Sequence, residues 1–432
     1  MLRRVKIFLF IAAGFVMAFG VAGKLAFVHA QGNGQGQVAN KSDQLISGYY
    51  DVVKGWPKPL STWPGHTEEW TWGSTQGIFA QNPNRIIVLQ RGELKALPPT
   101  APFMATLFED SQVIEVDGVK GKVRLSAPVK GQAKRNASVD PLGSPGEPDV
   151  PFKGIEGKDY RTENLVYILD RDGKLVESWT QWDKLFKRPH KVRISPYDPE
   201  KRIWIDDDGR DAIFILSNDG KKLLQTIGTP NERAQDEKHF GRQTDIAWLP
   251  DGTFFVSDGY TNTRVVKFDK NGKYLMAWGE KGNGVDEKRP NYFNTVHGIA
   301  VDNQRRVYVV DRANRRIQIF DENGKFLEQW YMGDINATYD IMITADQHLW
   351  MSDGHANYRI YKYDLTGRLL YYFGGWGLEP GQFWGVHQMS VDQEGNLYTA
   401  EVFAGRAQKF RPKKGANPEF LISQPLRVAW KD

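Results

Sequence analysis

Short apolar runs alternate with clusters of Gly, Asn and Asp through most of the chain, and one succession of them keeps returning. It is clearest at Gln243-Thr244-Asp245-Ile246-Ala247-Trp248. The turn Pro250-Asp251-Gly252 follows, then an apolar run over 253–257 closed by Asp258, a strand over 264–268, the turn Lys270-Asn271-Gly272 and a strand over 274–278. Asp-Gly and Asn-Gly tolerate the positive φ angles of tight hairpins, so the unit predicts four short antiparallel strands, which is one propeller blade. Further units start at Thr75, Pro189, Val296, Thr338 and Val386, with the turns Asp219-Gly220 and Asn323-Gly324 in the second and fourth. The pattern predicts an all-β fold, a six-bladed β-propeller over residues 75–432.

The first unit is interrupted. Residues 97–162, rich in Pro, Gly and Lys, separate its inner strands from an outer pair near 165–169 and 174–179. This insertion reads either as a rim or lid segment or as a surface excursion. Residues 31–74 form a leader and lead-in segment, and their Trp56, Trp63, Trp70 and Trp72 are expected to pack the start of the ring. In the tail from Pro412, residues 425–430 are expected to close it.

Composition changes the picture at the N-terminus. Arg3, Arg4 and Lys6 precede an apolar run from Ile7 to Gly23, and Val28-His29-Ala30 offers a small-residue cleavage site. Residues 1–30 read as a signal peptide, with an uncleaved N-terminal anchor as the alternative. Either places the folded part outside the cytoplasm, secreted or periplasmic. The formal charge is +5, and Arg3, Arg4, Lys6 and Lys24 supply most of it, so the remainder is near balance. Clustered basic residues of a nucleic-acid footprint are absent from the pattern. The chain has no cysteine, so a metal would have to rest on His or carboxylate ligands.

Aligning the first strands puts Gln76, His190, Thr244, His297, Tyr339 and His387 at one position in successive blades. First strands line the central channel of a propeller. Any one of these histidines alone would read as a polar, water-binding channel residue. Three on alternate blades converge on the axis instead, and three His with an open fourth position is the donor set of catalytic zinc. Loops after the second strands add Arg91, Tyr260, Arg312 and His355 around one mouth. Arginines can grip a carboxylate there, and a phenol beside a metal cation can serve as a base. Asp258, Asn262 and Arg264, like Asp311, Asn314 and Arg316, read as a signature that fixes the turn.

At Val256-Ser257-Asp258-Gly259-Tyr260-Thr261-Asn262-Thr263-Arg264, Val296-His297-Gly298-Ile299 and Asp311-Arg312-Ala313-Asn314-Arg315-Arg316 the sequence resembles NHL-repeat propellers. It is more similar still to the catalytic domain of the peptidyl-α-hydroxyglycine α-amidating lyases (peptidylamidoglycolate lyases), over roughly residues 75–410 outside the insertion. The resemblance implies zinc on His190, His297 and His387, a catalytic Tyr260, and substrate-binding Arg91 and Arg312. It also implies cleavage of a C–N bond in a small-molecule or peptide substrate ending in α-hydroxyglycine, with release of glyoxylate. Two positions depart from the family: Gln388 stands where an aspartate contributes to a structural calcium site, and Gly385 stands in place of a methionine. A neutral amide is the poorer calcium ligand. A metal-dependent hydrolase on the same scaffold, or a non-catalytic propeller that binds a protein or glycan, are the competing readings.

Overall fold

In the computed structural model every repeat becomes a four-stranded antiparallel sheet, because apolar residues alternate through short strands whose two faces are both covered by neighbouring sheets. The structure describes residues 46–95, 113–116, 119–122, 156–158, 160–284, 287–333, 335 and 337–430. The expected signal peptide over 1–30 and the leader up to residue 45 lie outside them.

Blade one consists of Thr75–Asn82, Arg85–Gln90, Val166–Leu169 and Leu175–Ser178. Blade two is Pro189–Ile194, Ile203–Asp207, Ala212–Leu216 and Leu223–Ile227; blade three is Gln243–Trp248, Phe254–Asp258, Arg264–Phe268 and Tyr274–Trp278. Blade four is Val296–Val301, Val307–Asp311, Arg316–Phe320 and Phe326–Tyr331; blade five is Thr338–Ile343, His348–Asp353, Ile360–Asp364 and Leu369–Phe373. The chain contributes only three strands of blade six in sequence: Val386–Val391, Leu397–Glu401 and Arg406–Pro412. Tyr50–Val52 supplies the fourth, pairing Tyr50 with Pro412 and Val52 with Phe410. The expectation that 425–430 closes the ring is therefore corrected. That tail instead runs beneath the ends of the innermost strands: Ala345 N–H donates to Gln424 O, Arg427 Nη2 to Val391 O, and Trp430 Nε1 to Ser195 O.

Apolar side chains fill the wedges between blades. Between blades two and three, Trp204, Ile213, Ile215, Trp248, Phe254 and Val266 form one such cluster. The lead-in tryptophans do pack the start of the ring: Trp56, Trp63 and Trp70 are buried against Ile78, Val88 and Tyr167 of blade one and Tyr398 of blade six. The chain leaves blade one after its second strand and returns to its third, and Trp70–Trp72, Glu93–Lys95 and Tyr160–Arg161 form a small sheet where it leaves and returns. Within the insertion, Val113–Val116 and Val119–Lys122 pair as a hairpin. Its expected role as a rim or lid rests largely on residues outside those described.

The acidic residue that ends most second strands holds the turns. Asp258 accepts from Gly241 N at 2.7 Å, Asn262 Nδ2 at 2.8 Å and Arg264 Nε at 2.9 Å; Asp311 repeats this with Asn294, Asn314 and Arg316. These residues are structural, as their register suggests.

Candidate active site

One irregularity recurs in all six blades and makes the site. The pairing of first and second strands slips by a residue between Thr75 and Gly77, Pro189 and Lys191, Gln243 and Asp245, Val296 and Ile299, Thr338 and Asp340, and Val386 and Gln388. Each slip contains the register residue: Gln76, His190, Thr244, His297, Tyr339 or His387. A bulged residue leaves the ladder, which re-aims its side chain and frees its carbonyl.

Even blades use the bulge for an imidazole and odd blades for a carbonyl. His190 Nδ1 lies 2.9 Å from Thr244 O, His297 Nδ1 2.9 Å from Tyr339 O, and His387 Nδ1 2.7 Å from Gln76 O. A carbonyl only accepts, so each Nδ1 carries the proton and each Nε2 presents a lone pair. The candidate ligand atoms of the three rings lie within 4.8 Å of one another, and the rings are buried. Burial, reinforced by Arg91 beside His190 and Arg312 beside His297, holds all three well below the ordinary histidine range, hence neutral.

Tyr260 completes the convergence. Its Oη lies 3.2 Å from His190 Nε2 and 3.0 Å from His297 Nε2. One hydroxyl proton cannot satisfy two lone pairs, so these donors together suit a cation better than they suit each other. The residues present fit a divalent metal, and neutral buried imidazoles fit zinc. Gly259 makes the approach of Tyr260 feasible, since a Cβ there would stand 1.7 Å from Val296 O.

Directly beneath lies a second buried tier. Lys191 Nζ donates to Asp245 Oδ2 at 2.9 Å, Asp340 Oδ1 at 2.8 Å and Tyr339 O at 3.0 Å. Arg193 forks across the same two carboxylates. Gln388 Oε1 accepts from Ile78 N and Val192 N, and its Nε2 donates to Val192 O. Calcium does not fit this tier, because its carboxylates are neutralised by the chain's own cations and its amide oxygen is already engaged.

Above the histidines, guanidiniums crowd the mouth. Arg242, Arg312 and Arg188 stand 4.6, 5.2 and 5.9 Å from the Tyr260 ring, and Arg312 is also 5.3 Å from Tyr339. Buried Asp208 takes Arg242 at 2.7 Å, Arg188 at 3.1 Å and Arg91 at 3.7 Å. Among the described residues Arg312 has no such carboxylate: its Nε and Nη2 are buried without a hydrogen-bond partner. Beside Tyr260, a cavity of about 240 Å³ opens between blades three and four, lined by Thr261, Asn283, Asn294 and Thr295, with Lys281 as the one charged group among the described lining residues. His355 sits half-buried on the rim against Phe403.

The residues singled out from sequence, His190, His297, His387, Tyr260, Arg91 and Arg312, thus gather at one channel mouth. Arg188, Arg242 and Asp208 were not singled out. Arg188 and Arg242 stand two residues before the register position in blades two and three, and Asp208 occupies the position after the second strand that Arg91 and Arg312 occupy in theirs. Charge at those repeated positions was the available signal.

Comparison with known proteins agrees with this architecture. A family described as a 6-bladed β-propeller matches residues 233–366. Peptidyl-glycine alpha-amidating monooxygenase A of Xenopus laevis is 29% identical over 261 residues, 58% of this chain and 27% of the relative. Peptidyl-alpha-hydroxyglycine alpha-amidating lyase 1 of Drosophila melanogaster is 28% identical over 283 residues, 60% of this chain and 51% of the relative. NHL repeat-containing protein 3 of Homo sapiens is 28% identical over 181 residues, 39% of this chain and 50% of the relative. The matched part therefore spans only about a quarter to a half of these relatives' own length. The chain is a six-bladed β-propeller, similar in sequence to the peptidyl-α-hydroxyglycine α-amidating lyases and to an NHL repeat-containing protein.

Proposed function

We propose that this propeller is a zinc-dependent carbon–nitrogen lyase that cleaves an N-acyl α-hydroxyglycine or a related carbinolamide, releasing glyoxylate or a similar carbonyl product. The observation that carries it is the convergence of three neutral Nε2 lone pairs and the Tyr260 hydroxyl on one axial point beneath an arginine-rich mouth. His190, His297 and His387 would hold the metal, whose chemistry is Lewis-acid polarisation of a substrate oxygen. Arg312 and Arg91 grip the substrate carboxylate and fix the carbinol carbon over the axis. Tyr260 Oη, beside the histidines, takes the carbinol proton as the O–H pair becomes the C=O bond. The C–N pair collapses onto nitrogen as Tyr260 Oη gives that nitrogen its own hydroxyl proton in exchange for the one it takes, and the products are the amide and the aldehyde. The basic and apolar N-terminal segment supports export, with the folded part periplasmic or secreted.

The mature protein should carry one divalent metal per chain by elemental analysis, and His297→Ala should lose it. Incubation with an N-acyl α-hydroxyglycine should release glyoxylate, and Tyr260→Phe should lower kcat by at least ~100-fold with the metal retained. A metal-free wild type would refute both enzyme readings and leave the binding propeller. Bound metal without glyoxylate release would point to hydrolysis or another reaction.

A further inference from the structure

The mouth holds more positive charge than one substrate carboxylate can use. Arg91, Arg188, Arg242 and Arg312 face it, while Asp208 is the carboxylate that three of them share. Asp206 is directed elsewhere, its Oδ2 lying 3.4 Å from His190 Nδ1. Asp207 is spent on the backbone N–H groups of Lys187, Arg188 and Gly209. Arg188 is 3% exposed and its Nε makes no hydrogen bond, and Arg312 is 2% exposed with two unsatisfied nitrogens. Buried guanidiniums without counter-charge are costly, and such a site fits where a ligand brings the charge. The cations also divide by the groups they meet. Arg312 reaches from blade four towards Tyr339 of blade five, whereas Arg188 and Arg242 come from blades two and three and meet on Asp208.

We infer that this site is specific for substrates with two anionic groups, one held at the Arg312 side and the second by Arg188 and Arg242 at Asp208. The inference rests on the lyase reading and gives it a substrate class: acidic N-acyl carbinolamides, in which the acyl part carries its own carboxylate. Asp208 is then a positioning residue, orienting the two guanidiniums so that their remaining N–H groups face the ligand.

The test compares N-succinyl-α-hydroxyglycine with N-butanoyl-α-hydroxyglycine, near-isosteres that differ by the terminal carboxylate. Wild type should favour the succinyl substrate by about tenfold or more in kcat/KM, the discrimination expected of a charge-assisted, bidentate contact. In Arg242→Gln and Arg188→Gln the ratio should fall towards one, while Arg242→Lys keeps part of it. A ratio near one in wild type, or an unchanged ratio in both glutamine variants, would overturn the inference. Arg242 is partly exposed, so its variants keep the comparison valid if Arg188→Gln fails to fold. Calorimetric titration of the metal-loaded protein with succinate and with butyrate separates the two readings. If neither hydroxyglycine yields glyoxylate, the lyase reading fails. Succinate binding that exceeds butyrate binding and is lost in Arg242→Gln would still support the dianion site, and equal binding would refute it.

Discussion

Asp340 shows how much of this channel is held by single groups. It receives Lys191 and Arg193 through Oδ1 and the Met389 N–H through Oδ2, and all of it is buried. Asp340→Ala would leave two buried cations sharing Asp245 alone, and should cost about 3–5 kcal/mol in urea unfolding. Much of the candidate site was legible at this scale, since His190, His297 and His387 share a register and an imidazole has few reasons to recur on alternate blades. Lys191 was not legible as an axial cation. A lysine one residue past a bulge looks like a solvated side chain until the carboxylates of blades three and five close round it. Arg188 and Asp208 were missed for the same reason: charge is read from sequence as surface, and only the fold buries it.

At the scale of the element, the bulge does the placing. Strands and two-residue turns could be read from apolar alternation and Asn-Gly or Asp-Gly pairs, so the six blades emerged from pattern alone. A bulge adds one residue to a ladder without changing composition, so the pattern carries no trace of it. Ring closure was misassigned on similar grounds. Residues 50–52 and 425–430 are both short and partly apolar, and what decides between them is the free edge of Arg406–Pro412, together with Tyr50 buried on Phe373 and its Oη accepting from Ile422 N. The loop that carries Tyr260 depends on one close approach. Gly259→Ala should drive that loop away from Val296, lowering stability by about 1–3 kcal/mol in denaturant unfolding. It should lower kcat more than KM, because the phenol leaves the axis while the arginines stay in place.

Across the whole molecule, the proposed metal would tie together blades two, four and six, whose first strands are separated by more than fifty residues each in the chain. Chelation should therefore lower the melting temperature of the entire propeller by a few degrees rather than loosen one blade, with restoration on adding zinc, as followed by calorimetry. The same ring has a floor. Lys191, Asp245, Asp340 and Gln388 fill the channel below the histidines, and the C-terminal tail runs beneath the strand ends. Among the described residues the histidine chamber is thus closed from below, which leaves the arginine mouth as its doorway. Traffic through it must run both ways: whatever enters past Arg242 and Arg312 blocks the way for the next molecule until it has backed out along the same path.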